Sequence, residues 1–487
     1  MTGMRPEGDD VPVLVLFRHD LRLADNRALG AAVASGRAVL PVFILDEESP
    51  GVRPVGGARR WWLHHSLTAL SRDLQDRGAR LVLRRGRTRA VVESLIRETG
   101  ADRVVWNRRY DPPGAAVDAA LKEALRSQGI DCESFEGQLL HEPTRLRTGA
   151  GGPYRVYSPF WRALMAEPAP RAPIEAPKAI RGHRGTVAGD ELQSWSLLPT
   201  RPDWSGGLRA EWTPGEAGAM ARLRVFLAAA IDGYGDNRDR PGLPSTSRLS
   251  PHVAHGEITP FQIWQAVEEA RDAIPAHDAE KFRKEVVWRE FSYHLLFHNP
   301  DLAERNYNRD FDGFRWRPSG DLVEAWQQGR TGYPIVDAGM RELWQTGWMH
   351  NRVRMICASF LIKHLLQDWR EGERWFWDTL VDADAASNAA SWQWVAGSGA
   401  DAAPYFRIFN PILQGEKFDG DGDYVRRYVP ELDRVPNRFL HKPGDAPALL
   451  LAEAGVKLGR EYPVPVVEHA QSRDRAMAAY NALRGSA

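Results

Sequence analysis

Cysteine is nearly absent. Cys132 and Cys357 are the only two in 487 residues, too few for a disulfide framework or a cysteine-rich zinc site. A surplus of charge is absent as well: Lys plus Arg total 64, Asp plus Glu total 64, and the formal charge is zero. A uniformly basic nucleic-acid coat is thereby excluded, so any phosphate binding must come from a local patch. No apolar run approaches the ~18–20 residues that span a bilayer; Val11–Phe17 is typical of the longest. The first ten residues carry Glu7, Asp9 and Asp10 and no apolar leader core, so a cytoplasmic location is expected. Neither GxGxxG nor GxxxxGK[ST] occurs, which leaves a Rossmann dinucleotide site or a P-loop without support. Hydrophobic residues at 43% and charged residues at 26% argue against wholesale disorder. Tryptophan is abundant: there are 18, and 11 of them fall between Trp264 and Trp394.

The first 135 residues alternate short apolar runs with amphipathic stretches. Val11–Phe17, Ala38–Leu45, Arg80–Leu83, Arg103–Trp106 and Asp131–Phe135 read as buried strands. Asn26–Ala34, Ala58–Asp76, Arg89–Thr99 and Ala115–Gln128 read as the helices between them. Strict alternation predicts βαβ units and a parallel sheet covered on both faces. Periodicity dissolves from about Gly137 to Thr213, where Pro, Gly and small residues suggest a long connection. Beyond it the pattern is helical: Ala217–Tyr234, Thr259–Ala273, Asp278–Phe297, Gly332–Thr346, His350–Trp369 and Gly372–Leu380. The expected organisation is an α/β domain over 1–136, a linker over 137–210 and an all-α domain over 211–487.

Several clusters carry potential chemistry. Thr246-Ser247-Arg248-Leu249-Ser250-Pro251 places three hydroxyls and an arginine before a helix start, either a phosphate cradle or a plain cap with proline at the first helical position. Arg352 and Arg354 are two apart and cannot share a helix face, so one can meet an anion while the other pairs internally. Asp382-Ala383-Asp384 with Asn388 supplies carboxylates and an amide, and these too read either as an ordinary cap and ion pair or as a site. Glu285 and Trp288 share one face of a helix, which suits either a core aromatic or a platform that stacks on a nucleobase. His294 and His298 have zinc-pair spacing, but HExxH and a third ligand are missing, so no metal is expected. The tryptophans serve either as packing or as a relay of easily oxidised rings.

Read in order, FRHDLRLADN (17–26), TSRLSP (246–251), VWREF (287–291), GRTGYPIVDA (329–338), GWMHNRVRM (347–355), DWREGERWF (368–376), the Asp382–Asn388 run and GADAAPYFRIFNPILQGEKFD (399–419) resemble the DNA photolyase/cryptochrome family. The resemblance is nearest to bacterial enzymes that repair cyclobutane pyrimidine dimers. It implies an antenna-binding α/β domain and a helical domain holding FAD, active as FADH⁻. Tyr234, Thr246, Ser247, Arg248, Leu249, Ser250, Asn351, Arg354, Asp382, Ala383, Asp384 and Asn388 would hold the flavin, with Asn388 near its N5 and Arg354 paired to Asp382. Glu285 would hydrogen-bond to the flipped dimer, Met355 would line its pocket, and Trp288 and Trp394 would stack on it. Arg238, Arg289, Asn351, Arg352 and Gln414 would meet the damaged strand. Trp392, Trp369 and Trp316 would form an inner, middle and outer electron relay. Phe282 stands where several relatives carry tryptophan. The Trp106–Pro113 loop departs from the folate-pocket sequence of well-known members, which leaves the antenna open; a folate (5,10-methenyltetrahydrofolate) is the first expectation, with a deazaflavin or second flavin as the alternatives. UV-damaged DNA is the expected partner, the chain is expected to be a monomer, and a blue-light sensor on the same fold is the rival function.

Overall fold

The computed structural model describes residues 11–402 and 406–485; Glu7, Asp9, Asp10 and residues 403–405 of the 399–419 motif lie outside the described residues. Five strands, β1 (Val13–Phe17), β2 (Val39–Leu45), β3 (Val82–Arg85), β4 (Arg103–Asn107) and β5 (Asp131–Phe135), form one sheet in the order β3-β2-β1-β4-β5. All four pairings are parallel. Every residue of β1 and β2 is buried, whereas β3 and β5 at the edges are partly open. Near-continuous apolar runs are what a strand covered on both faces requires. The helices fall where the periodicity predicts, at Arg27–Ala34, Gly57–Gln75, Thr88–Thr99 and Pro112–Ser127. Asn26 and Asp111 cap two of them by accepting from Leu29 N and Gly114 N.

The stretch 137–210 is not a bare tether. It holds a ten-residue helix, Tyr157–Ala166, which the sequence pattern does not show. Tyr157, Phe160 and Leu164 from that helix pack with Val287, Phe291 and Leu295 in one core. The chain then returns to the sheet: Arg181 O accepts from Val39 N (2.7 Å), Val39 O from His183 N (3.0 Å) and Leu83 O from Asp190 N (2.8 Å). Ile180, Trp195 and Leu197 enter the sheet's own core.

The remainder is helical. Its largest core gathers Trp326, Met340, Phe360, Trp369, Trp392, Tyr424 and Tyr462. The single helix expected over 350–369 is instead Asn351–Ser359, a π-turn at Phe360–His364 and a new helix starting at Trp369. Leu366, with φ of 57°, marks the break. The two halves interlock through buried polar contacts. Trp62 Nε1 donates to Glu257 (2.9 Å), Arg22 Nη1 donates to Gly256 O (2.9 Å), and the Trp62 ring stacks on His255. Gly256 has φ of +66°, and a Cβ there would lie 1.9 Å from His19 O, so close approach of the halves requires glycine.

Candidate active site

A cavity of about 590 Å³ opens in the helical half, within the size range of small-molecule and cofactor sites. Four stretches of the chain supply most of its wall. The long helix Ala276–His298 contributes Phe282, Glu285, Trp288 and Arg289; helix Asn351–Ser359 contributes Asn351, Arg352, Arg354 and Met355. The Asp382–Asp384 loop, with helix Ala385–Ala396, contributes Asn388, Trp392 and Trp394. The 234–254 region adds Tyr234, Arg238, Ser247, Leu249 and Ser250.

Each side chain is held by identifiable contacts. Asp278 accepts from Gly233 N (3.0 Å) and Gly235 N (2.6 Å), which fixes the turn bearing Tyr234. Phe282 fills the space between Phe226 and Tyr234. Asp384 caps its helix by accepting from Ala386 N and Ser387 N, and its other oxygen accepts from Tyr293 OH at 2.5 Å. Burial, reinforced by the Asp384 charge, pushes the Tyr293 phenol far up, so it stays a donor. Arg354 Nη2 meets Asp382 Oδ2 at 2.8 Å, while Arg352 Nη2 turns to Asp239 Oδ2 at 2.6 Å. The two arginines thus take different carboxylates, although both line the same cavity. His350 caps their helix by accepting from Arg352 N, and burial lowers it to about 4, which keeps it neutral at pH 7.

Ser250 behaves differently from expectation. Leu249 occupies the cap position, and Ser250 Oγ donates to Asp382 Oδ2 at 2.6 Å. A buried carboxylate brought from a distant segment outcompetes local amides for that hydroxyl. Arg248 and Thr246 lie outside the cavity wall. Arg248 has φ of 51°, and this left-handed turn sends its guanidinium away onto Trp212 (4.8 Å) and Trp348 (4.4 Å), where it pairs with Glu211. Asp382 Oδ1 remains buried without a partner. Such an atom is costly unless a ligand satisfies it. A flavin nucleotide, with N–H and hydroxyl donors and an extended ring, fits the volume and this acceptor-lined floor.

At the mouth, Trp288 is stacked on Tyr157, centroids 3.8 Å apart and planes within 5°. Tyr157 comes from the aperiodic connection, and sequence reasoning missed it; its hydroxyl donates to Lys284 O (2.6 Å). Trp394 Nε1 donates to Asp401 O (3.0 Å). Arg238 is paired with Glu285; burial opposes its charge, but the bond and charge of Glu285 outweigh that and push it up. Arg289, expected on the strand-facing rim, is turned into the wall. Its Nη1 donates to Gln138 O (2.8 Å) and its guanidinium lies 4.7 Å from the Tyr293 ring. A guanidinium this enclosed needs a carbonyl and an aromatic face more than a solvated phosphate. Gln414 sits on helix Pro411–Phe418, outside the cavity wall, half-buried. The His294 and His298 rings touch at 4.7 Å, and His294 Nε2 accepts from Tyr154 N. Among the described residues no three metal-binding side chains gather.

Residues 13–178 match the DNA photolyase family, and residues 282–482 match the FAD binding domain of DNA photolyase. The chain is 59% identical to a deoxyribodipyrimidine photo-lyase of Agrobacterium fabrum over 97% of this chain and 98% of the relative. The chain belongs to the DNA photolyase/cryptochrome family. A bacterial class III photolyase from Agrobacterium tumefaciens superimposes with a TM-score of 0.96 at 57% identity, covering 99% of this chain and 100% of that one. A cryptochrome from Synechocystis sp. superimposes with a TM-score of 0.86 at 28% identity, covering 96% and 99%.

Of the three tryptophans expected to relay electrons, Trp392 and Trp369 are buried and Trp316 is half-buried. Trp392 lines the cavity, and its ring lies against Gly372, where a Cβ would fall 2.0 Å from Cη2. One turn before Gly372 is Trp369, fully buried, its indole donating to Asn306 Oδ1 (2.9 Å). Trp316 is half-buried beside Phe314 (4.3 Å), and the next residue, Arg317, donates its N–H to Leu366 O (2.9 Å), three residues ahead of Trp369.

Proposed function

We propose that this chain repairs cyclobutane pyrimidine dimers in DNA with light, holding FAD in the cavity and the flipped dimer at its mouth. One observation carries the reading. Glu285, Trp288, Met355 and Trp394 line the same hollow as Asn388, Arg354 and Asp382, so damaged bases and a redox cofactor would sit in contact. Bound in reduced form, FAD supplies on excitation the electron that opens the two bonds joining the bases, and recovers it afterwards.

The protein's part is positioning and exclusion of water. Arg354 and Ser250 hold Asp382 so that its free oxygen faces a donor on the cofactor. Glu285 offers a carboxylate to a pyrimidine edge. Trp288, braced by Tyr157, and Trp394 give planar faces that replace the stacking lost when the dimer leaves the duplex. Arg238 and Arg352 exchange Glu285 and Asp239 for backbone phosphates. Asn351, at the start of its helix, can meet cofactor or strand; Gln414 is an outer contact. Ser247, Leu249, Ala383 and Tyr234 complete the cofactor wall, with Trp392, Trp369 and Trp316 as the relay that restores the reduced state. The chain acts as a monomer in the cytoplasm; no helix among the described residues is long and apolar enough to cross a membrane. A folate serves as antenna in the α/β domain, whose functional limits are 1–136 with 137–210 as its tie to the helical domain at 211–487.

The deciding experiment is an absorption spectrum of purified protein followed by illumination with dimer-containing DNA. Flavin absorption together with light-dependent loss of dimers is expected. Flavin without loss of dimers would instead favour the blue-light sensor. The folate reading fails if the released chromophore is a deazaflavin or a second flavin. Since few phosphates are neutralised, log K against log salt should have a slope of about −2 to −4, from roughly −0.9 per phosphate contact. A slope near −10 would contradict this sparse rim.

A further inference from the structure

Trp369, the middle indole of the relay, gives its N–H to an amide. Nε1 donates to Asn306 Oδ1 at 2.9 Å, and both residues are buried. Asn306 cannot be turned round, because its Nδ2 donates to Asp312 Oδ1 at 2.7 Å. An indole N–H only donates and a carboxylate only accepts, so each neighbour fixes one end of the amide. The Asp312 carboxylate is thereby held one amide away from the indole proton.

The loop that carries Asn306 is clamped. Gln393, next to Trp392 in the chain, accepts from Tyr307 N (2.6 Å) and donates to Leu302 O (2.6 Å) and Arg305 O (2.9 Å). Asn308 N donates to Ser398 O (2.8 Å). Arg370 Nε donates to Glu304 O (2.6 Å), and its guanidinium lies 4.7 Å from the Trp369 ring. A cation there opposes positive charge on the ring, and Asp368, paired with Arg370 at 3.0 Å, offsets only part of it. An indole that has lost an electron is a strong acid and sheds its proton to a base within reach. Here the group within reach is an amide, which accepts a hydrogen bond without taking the proton.

We propose that Asn306 is a positioning residue for electron transfer: it steadies an electron-poor Trp369 without deprotonating it, so that the electron vacancy moves outward to Trp316. This rests on the relay reading above. The electrons balance ring by ring. Under light Trp392 gives one electron to bound oxidised flavin, Trp369 refills Trp392, and Trp316 refills Trp369; the N–H bond of Trp369 stays intact. Half-buried Trp316 releases its proton to water, and a thiol in solution returns a hydrogen atom to it.

The test is flash photolysis of flavin-loaded protein, reading the tryptophan radicals by absorption, since protonated and deprotonated indole radicals have distinct spectra. In Asn306→Asp/Asp312→Asn the amide and the carboxylate change places. The bond between them and the net charge are kept, but a base now faces the indole N–H. The deprotonated Trp369 radical should appear, more slowly in heavy water, and adding Trp316→Phe should change nothing further. Asn306→Leu removes the acceptor altogether, and the yield of oxidised Trp369 should fall about tenfold, the difference between a neutral and a charge-assisted hydrogen bond. A swapped variant that passes the vacancy to Trp316 as wild type does, or an unchanged yield in Asn306→Leu, overturns the inference and leaves the relay standing. Normal photoreduction in Trp369→Phe refutes the relay reading itself, and this inference with it.

Discussion

Replacing Trp392 with phenylalanine should abolish light-driven reduction of oxidised bound flavin while leaving dimer repair by chemically reduced enzyme unchanged. Trp392, proposed as the innermost relay indole, lines the cavity wall and is wedged against the Gly372 backbone one turn from Trp369. Phenylalanine keeps an aromatic face in the T-shaped contact with Phe376 (4.9 Å) but is far harder to oxidise. The volume lost should cost only about 1–3 kcal/mol, so the fold should persist. Trp369→Phe should give the same result, because an interrupted chain fails at any link. Trp264→Phe serves as control: its ring lies 4.9 Å from Arg283 and outside the cavity wall, so photoreduction should be normal. Stopped-flow reduction under continuous light checks all three. Normal photoreduction in Trp392→Phe would remove the relay assignment.

What the sequence revealed, and what it concealed, divides along physical lines. The strands of the α/β half were legible because burial on both faces leaves unbroken apolar runs in β1 and β2. Spacing alone did not separate Arg352 from Arg354: both line the cavity, and each is paired with its own carboxylate there. Contacts between distant segments were not legible either. Ser250 carries every local mark of a cap, yet Asp382, 132 residues away, takes its hydroxyl. Arg248 sits inside a hydroxyl-rich motif, yet one left-handed dihedral turns it out of the cavity. Arg289 follows Trp288 directly, but which of the two faces the wall depends on Gln138 and Tyr293. Tyr157 gave no signal, because a ten-residue helix in a proline- and glycine-rich stretch is stabilised by the long helix beneath it.

Removing the Asp382 carboxylate should have the largest effect on cofactor retention. Its Oδ2 accepts from Arg354 and Ser250, and its Oδ1 is buried with nothing to accept from. Asp382→Ala strips Arg354 of its anion and Ser250 of its acceptor, and breaking one side of an enclosed pair typically costs about 3–5 kcal/mol. Arg354 keeps its bond to Met349 O (2.7 Å) and is partly open to the cavity, so the lower figure is the better expectation. Both stability and flavin content should fall. Asp382→Asn separates the two roles, because a similar-sized amide preserves packing but weakens the charge-assisted bonds, each worth about 1.5–3 kcal/mol. That range predicts roughly ten- to hundredfold weaker flavin binding in a protein that still unfolds cooperatively. Reconstitution of stripped protein with FAD, followed by fluorescence, measures it directly. Full flavin affinity in Asp382→Asn would mean that the free oxygen meets no cofactor donor, and the cavity floor would need another explanation.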